Sequence, residues 1–136
     1  MRDDNCIFCK LANGIIPTNS IYEDENFNVI LDMSPATKGH ALILPKNHYK
    51  NLYELPEDTA AEVMKLAKKM AVEMTEKLGA DGFNLVQNNN EVAGQTVFHF
   101  HMHLIPRYEN DRQRIAWIPT SPSAEELAEI KETLAK

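Results

Sequence analysis

The stretch GQTVFHFHMHLIPR, Gly94 to Arg107, decides how the chain is read. It places histidines at 99, 101 and 103, three of the five in the protein, with Phe100 and Met102 between them. In a strand, alternate side chains share a face and stand roughly 6.5 to 7 Å apart, so this spacing predicts a row of imidazoles along one side. Phe98, Phe100, Met102 and Leu104 form the opposite row, expected to pack on an apolar partner. A lone histidine on such a face is most simply a solvated polar residue. Three in register carry more weight. Neighbouring imidazoles with an ordinary pKa of about 6.5 resist simultaneous protonation, which keeps neutral, nucleophilic nitrogen available near pH 7. Such a row can bind a metal or attack an electrophile.

Outward from this stretch, Asn26–Asp32 (NFNVILD) alternates Phe27, Val29 and Leu31 against Asn28 and Ile30, and Gly39-His40 leads into ALILP, which reads as strand, turn, strand. Pro56 suits a first helical position, and Glu57 and Asp58 suit the positive end of a helix dipole. Val63, Leu66, Ala67, Met70, Ala71, Met74 and Leu78 then recur at three and four, and Gly79 supplies a stop. Phe83–Val86 and Val97–Ile105 read as further strands, joined by a polar loop over 88–94. Leu127, Ile130 and Leu134 put a short helix in the tail.

The chain of 136 residues, 43% hydrophobic and 25% charged, is expected to form a single domain over 1–136, with the tail from about 108 less firmly part of it. A formal charge of −6 offers no general attraction to a nucleic-acid backbone, so no nucleic-acid partner is expected. There is no apolar run of membrane-spanning length, and MRDDNCIFCK lacks the apolar core of a secretion signal. The expectation is a cytoplasmic protein with no membrane partner. Cys6 and Cys9 lie three apart; in a reducing compartment that spacing is redox-active or metal-binding more often than structural. The redox reading requires the pair to open a helix after a strand, and the N-terminal position disfavours it.

Metal binding by the histidine row is the first competitor to nucleophilic catalysis, and Asp32 could supply a carboxylate. A straight strand would separate His99 from His103 by about 13 to 14 Å, too far for all three to share one ion. Nucleophilic catalysis is therefore the better reading.

His99-Phe100-His101-Met102-His103-Leu104-Ile105 resembles the histidine triad motif, His-φ-His-φ-His-φ-φ with φ hydrophobic, at every position. The resemblance runs from Asn5–Lys10 through Asp32, Gly39-His40 and Pro45–His48 to Arg107 and fades in the tail. The third histidine is similar to the hydrolase branches; the uridylyltransferase branch has glutamine there. The resemblance implies an α+β fold, a histidine-triad-like antiparallel sheet of about five strands with one long helix and a short C-terminal helix, in a homodimer whose sheets join. It also implies a small purine nucleotide as ligand, with phosphoramidates, aminoacyl adenylates or dinucleoside polyphosphates as substrates.

In that family frame His101 corresponds to the nucleophile that becomes nucleotidylated, His103 to the residue near the leaving group, and His40 to a fourth active-site histidine. Asp32 corresponds to the ribose-binding carboxylate, and Asn88, Gln95 and Thr96 to polar residues around the phosphate. Taken alone, Asp32 could equally cap its turn, Asn88 could be an ordinary turn residue and Thr96 an ordinary strand residue. Cys6 and Cys9 with His48 and His99 resemble the closed zinc set of a bacterial-type subset, a structural ion not required for catalysis. His99 would serve zinc while His101 and His103 serve phosphate. Two rivals stand beside the nucleotidyl hydrolase: a nucleotide-binding regulatory module with incidental chemistry, and a zinc enzyme using the triad as ligands.

Overall fold

The alternating segments pair into one antiparallel sheet. The computed structural model describes residues 1–135. Its strands are β1 (Ser20–Glu23), β2 (Phe27–Leu31), β3 (Ala41–Pro45), β4 (Gly82–Val86) and β5 (Met102–Arg107). They lie in the order β1-β2-β3-β5-β4, and every neighbouring pair is antiparallel. The helices are α1 (Ile7–Ala12), α2 (Glu57–Leu78) and α3 (Ala124–Leu134). No helix among the described residues is long and apolar enough to cross a membrane.

Period-two side chains divide the sheet into two apolar faces. Phe27 and Val29 of β2, Ala41 and Ile43 of β3 and Leu104 of β5 pack on Val63, Leu66, Ala67, Met70 and Met74 of α2. Ile30, Leu42 and Leu44 point the other way and meet Ala12, with Phe8 and Leu11 of α1 beside them. Each fully buried aliphatic side chain contributes roughly 1.5 to 3 kcal/mol, so the α2 face dominates the stability of the sheet. α2 runs between the expected signals. Glu57 and Asp58 occupy its first turn, and Gly79 ends it at φ 67°, its N–H donating to Thr75 O. Pro56 precedes the helix as its N-cap, at ψ 146°, instead of forming its first helical residue.

The strand expected over Val97–Ile105 is displaced: β5 begins at Met102. Residues 97–101 alternate like a strand but take other hydrogen-bond partners. Phe100 N–H donates to Tyr49 O (2.6 Å), and the Gln95 amide donates to Val97 O (3.0 Å). The bend buries His99 and Phe100 and turns Phe98 outward at 40% exposed, so Phe98 is not in the core row. Phe100, Met102 and Leu104 do join the α2 cluster.

Three short elements had no counterpart in the sequence reading: β1, α1 and a single 3-10 turn at Glu91–Ala93 within the expected loop. β1 pairs with β2 through an irregular register, and α1 lies across the β2–β3 face opposite α2. α3 is closed at its start by a capping box between Ser123 and Glu126. Its Leu127, Ile130 and Leu134 are all more than half exposed.

Candidate active site and metal cluster

Hydrogen bonds fix the proton on each triad ring. A carbonyl only accepts, so His101 must carry its proton on Nδ1, which donates to His99 O (2.8 Å). That leaves a lone pair on His101 Nε2. His99 donates from Nε2 to Pro45 O (2.9 Å), which leaves its Nδ1 free as a ligand. Ala36 N–H donates to His40 Nδ1 (2.9 Å), so His40 carries its proton on Nε2 and passes it as a donor to His103 Nδ1 (2.9 Å). His103 therefore presents an N–H at Nε2. The order of donors gives three chemically identical rings different outward groups: a lone pair on His99 Nδ1, a lone pair on His101 Nε2 and an N–H on His103 Nε2.

Burial keeps these rings neutral. It pushes His103 down to about 4, helped by the neighbouring His101 and His40 and opposed by Asp32. It also lowers His101, against the raising effects of the His99 carbonyl and Asp32, and lowers His40, against Asp32. Asp32 Oδ2 stands 3.5 Å from His40 Nε2, while its Oδ1 accepts from Ser34 N–H (2.8 Å). His101 and His103 stand with ring centroids 5.1 Å apart, closer than the roughly 6.5 to 7 Å of a regular strand row, because His101 lies in the bend before β5.

Both rings line a cavity of about 510 Å³. Asp32, Asn88 and Thr96 line it as well, so five of the sequence-derived residues share one wall system. Gly94, at φ 101°, lies on the same rim; a Cβ there would sit 3.4 Å from Asn88 Nδ2 as well as straining the backbone. His40 sits behind His103 and is 6% exposed. Gln95, expected beside the phosphate, is 2% exposed and does not line the cavity. Its amide donates to Lys50 O (2.8 Å) and Val97 O, while its Oε1 accepts from Asn90 N–H (2.8 Å) and Asn51 Nδ2 (3.5 Å). With its hydrogen bonds spent on backbone and Asn51, Gln95 shapes the 88–97 loop from behind. Phe8, Leu11, Ile30 and Leu42 make an apolar wall that the sequence reading missed. Their signal was the inward alternation of β2 and β3, unreadable until α1 was in place.

The second cluster gathers around the His99 ring. Cys6 Sγ and Cys9 Sγ are each 3.4 Å from His99 Nδ1, and Cys9 Sγ is 3.4 Å from His48 Nδ1. One ligand atom from each of Cys6, Cys9, His48 and His99 falls within 4.8 Å of the others. Tetrahedral zinc with bonds of about 2.3 Å to sulfur and about 2.0 Å to nitrogen would separate S from N by about 3.5 Å, so the donor set fits that ion. His99 and Cys9 are fully buried, and burial pushes the Cys9 thiol up. The cysteine pair does open a helix, with Cys6 Sγ accepting from Cys9 N–H, but no strand leads into it. Asp32, His40 and His103 also bring ligand atoms within 4.8 Å of one another. There the nitrogens already face each other across a hydrogen bond, and His40 Nε2 could take a metal only by moving its proton to Nδ1, at the cost of the bonds to Ala36 N–H and His103 Nδ1.

A family model described as HIT domain matches residues 13–110, a span that starts after the two cysteines and contains the triad. An uncharacterized HIT-like protein of Methanocaldococcus jannaschii is 47% identical over 128 residues, covering 93% of this chain and 98% of that one. An adenosine 5′-monophosphoramidase of Saccharomyces cerevisiae is 38% identical over 136 residues, covering 98% of this chain and 84% of that one. Among solved structures, a zinc-bound histidine triad family protein from Mycobacterium smegmatis has a TM-score of 0.76 at 37% identity, covering 95% of this chain and 97% of that one. The triad, the five-stranded sheet that carries it and these full-length similarities agree: the chain belongs to the HIT domain family.

Proposed function

We propose that the protein is a nucleotidyl hydrolase that cleaves nucleoside phosphoramidates, aminoacyl adenylates or dinucleoside polyphosphates through a nucleotidylated His101. The observation that carries this reading is the tautomer set: a lone pair on His101 Nε2 and an N–H on His103 Nε2, both rings on one cavity wall. His101 Nε2 attacks the α-phosphorus; the N–P bond forms, the bond to the leaving group breaks, and the electron pair departs with that group. His103 offers its N–H where negative charge develops, and a solvent proton neutralises the departing group. Water then attacks phosphorus and gives up a proton to solvent, the N–P bond breaks with its electron pair returning to Nε2, and nucleoside monophosphate leaves with the neutral imidazole restored. Asp32 would accept the ribose hydroxyls, Asn88 and Thr96 would contact the phosphate, and the apolar wall would take a purine base.

The Cys6, Cys9, His48 and His99 set would hold zinc as a structural ion. Bound there it would supply four coordinate bonds to the fold and, with no open position, no activated water. The relative's activity on adenosine 5′-monophosphoramidate supports the substrate class, and the proton on His40 Nε2 disfavours a triad used as metal ligands.

Mixing the protein with an adenosine phosphoramidate and quenching rapidly should give an intact mass raised by one adenylyl group. Because the neutral form of His101 is the competent one and burial holds its pKa below the ordinary value, kcat/KM should show no acid limb centred at the ordinary imidazole value of about 6.5. It should decline only at lower pH, where the ring protonates. No adduct at any quench time, or an acid limb centred at or above 6.5, would overturn the reading.

We also propose a homodimer joined through β4, whose outer edge is unpaired among the described residues and whose Leu85 is 41% exposed. Light scattering should return twice the 15.4 kDa chain mass. A monomer mass at micromolar concentration would refute it.

A further inference from the structure

The cavity and the cysteine cluster share one helix. Cys6 and Cys9 of the α1 turn face the imidazoles of His48 and His99, while Phe8 and Leu11, interleaved with them, line the cavity. We propose that the Cys6–Cys9–His48–His99 cluster, when it holds its ion, sets the nucleotide affinity of the cavity by fixing α1 and with it the Phe8 wall. The inference rests on the nucleotide reading of that cavity.

α1 has six residues, far below the length at which a helix persists by itself in water. Its N-cap is a ligand sulfur: Cys6 Sγ accepts from Cys9 N–H at 3.3 Å, so coordinating the ion and starting the helix use one atom. The C-terminal end of α1 is anchored independently. Asn13 Nδ2 donates to Lys46 O (2.9 Å), Asn28 Nδ2 donates to Ala12 O (3.3 Å), and Ala12 is buried against Ile30, Leu42 and Leu44. At the N-terminal end Phe8 packs only partly buried beside Ile30, Leu42 and Leu44, and the polar ties to the body run through the two sulfurs and a backbone bond from His48 N–H to Met1 O (2.7 Å), itself at a ligand residue. Loss of the ion should therefore loosen the Phe8 end selectively.

Phe8 is the side chain through which that loosening reaches the site. Its ring stands edge-on to His101, with centroids 4.9 Å apart and planes at 87°, and it is only half-buried, leaving surface free to meet a ligand. By linkage, the factor by which the ion tightens nucleotide binding equals the factor by which nucleotide tightens ion binding.

The test is titration calorimetry with AMP on zinc-loaded and chelator-stripped protein, at a temperature where circular dichroism shows both folded. Stripping should weaken the AMP Kd about tenfold, equivalent to about 1.4 kcal/mol, and zinc should restore it. Zinc-loaded Phe8→Ala should bind AMP as weakly as stripped wild type, and stripping should not weaken it further. If stripped wild type will not stay folded, the reciprocal measurement uses loaded protein: transfer of zinc to a chromophoric chelator with and without AMP. There AMP should tighten zinc about tenfold in wild type and not at all in Phe8→Ala. Equal AMP affinity with and without zinc, AMP-independent zinc retention, or full metal dependence persisting in Phe8→Ala would each overturn the coupling. Absence of AMP binding by the loaded wild type would sink the nucleotide reading instead, so the two failures are distinguishable.

Discussion

Replacing His101 by glycine should lower kcat by roughly 10⁴-fold or more and abolish the nucleotidyl adduct, while AMP still binds. The expectation follows from the uniqueness of its nitrogen. His99 Nδ1 faces sulfur, His103 and His40 carry protons on Nε2, and only His101 combines a free Nε2 lone pair with a place on the cavity wall. Binding should survive because Asp32, Asn88, Thr96 and the apolar wall are left in place. The variant loses the donor to His99 O, at a cost of about 1 to 3 kcal/mol in stability, so it must be assayed below its melting temperature. The cavity left by the ring offers a second readout, since added imidazole should restore part of the turnover without restoring the protein adduct. A glycine variant with wild-type kcat would eliminate the covalent route. One that neither binds AMP nor responds to imidazole would place His101 in binding and not in nucleophilic attack.

Much of the architecture was legible because its signals are local. The 3.6-residue period of α2 and the two-residue alternation of β2 and β3 arise from faces buried over many consecutive residues, and both appear where expected. The path of residues 97–101 was not legible. VFHFH alternates like any strand, and what bends it is the distant Tyr49 and Pro45 carbonyls, which claim Phe100 N–H and His99 Nε2. α1 was invisible for a different reason: with fewer than two turns it has no period to read, and its apolar Phe8 and Leu11 are interrupted by ligand positions. The chemistry of individual residues divides in the same way. Spacing marked the histidine row and the cysteine pair, and the family resemblance marked Asp32, whereas the surroundings of Gln95 and Phe8 depend on which neighbours fold against them. An amide reads as a phosphate contact until its hydrogen bonds prove to be spent on Lys50, Val97 and Asn90.

A Cys6→Ser, Cys9→Ser variant should lose its zinc and a large part of its thermal stability while retaining most of kcat. In the folded protein the four ligands tie residues 6 and 9 to 48 and 99, positions that an unfolded chain does not bring together, so the free energy of coordination is folding free energy. Apparent values for structural zinc in small domains reach about 10 kcal/mol or more, although here α2 and the sheet supply a core of their own, so a folded but less stable variant is expected. Retention of kcat follows from the closure of the proposed site: two sulfurs and two imidazoles would fill a tetrahedral ion, and His101, the proposed nucleophile, is not among them. A modest effect on the chemical step enters through His99, whose Nδ1 faces the sulfurs and whose carbonyl holds His101 Nδ1–H. The larger kinetic change should appear in KM, through the Phe8 wall. Elemental analysis, calorimetric melting and turnover at a temperature where both proteins are folded separate the alternatives. A wild type purified without chelators and lacking stoichiometric zinc would refute the site. A folded double variant with kcat abolished, and recovered on adding metal, would instead make the ion catalytic and return the triad to the role of a metal centre.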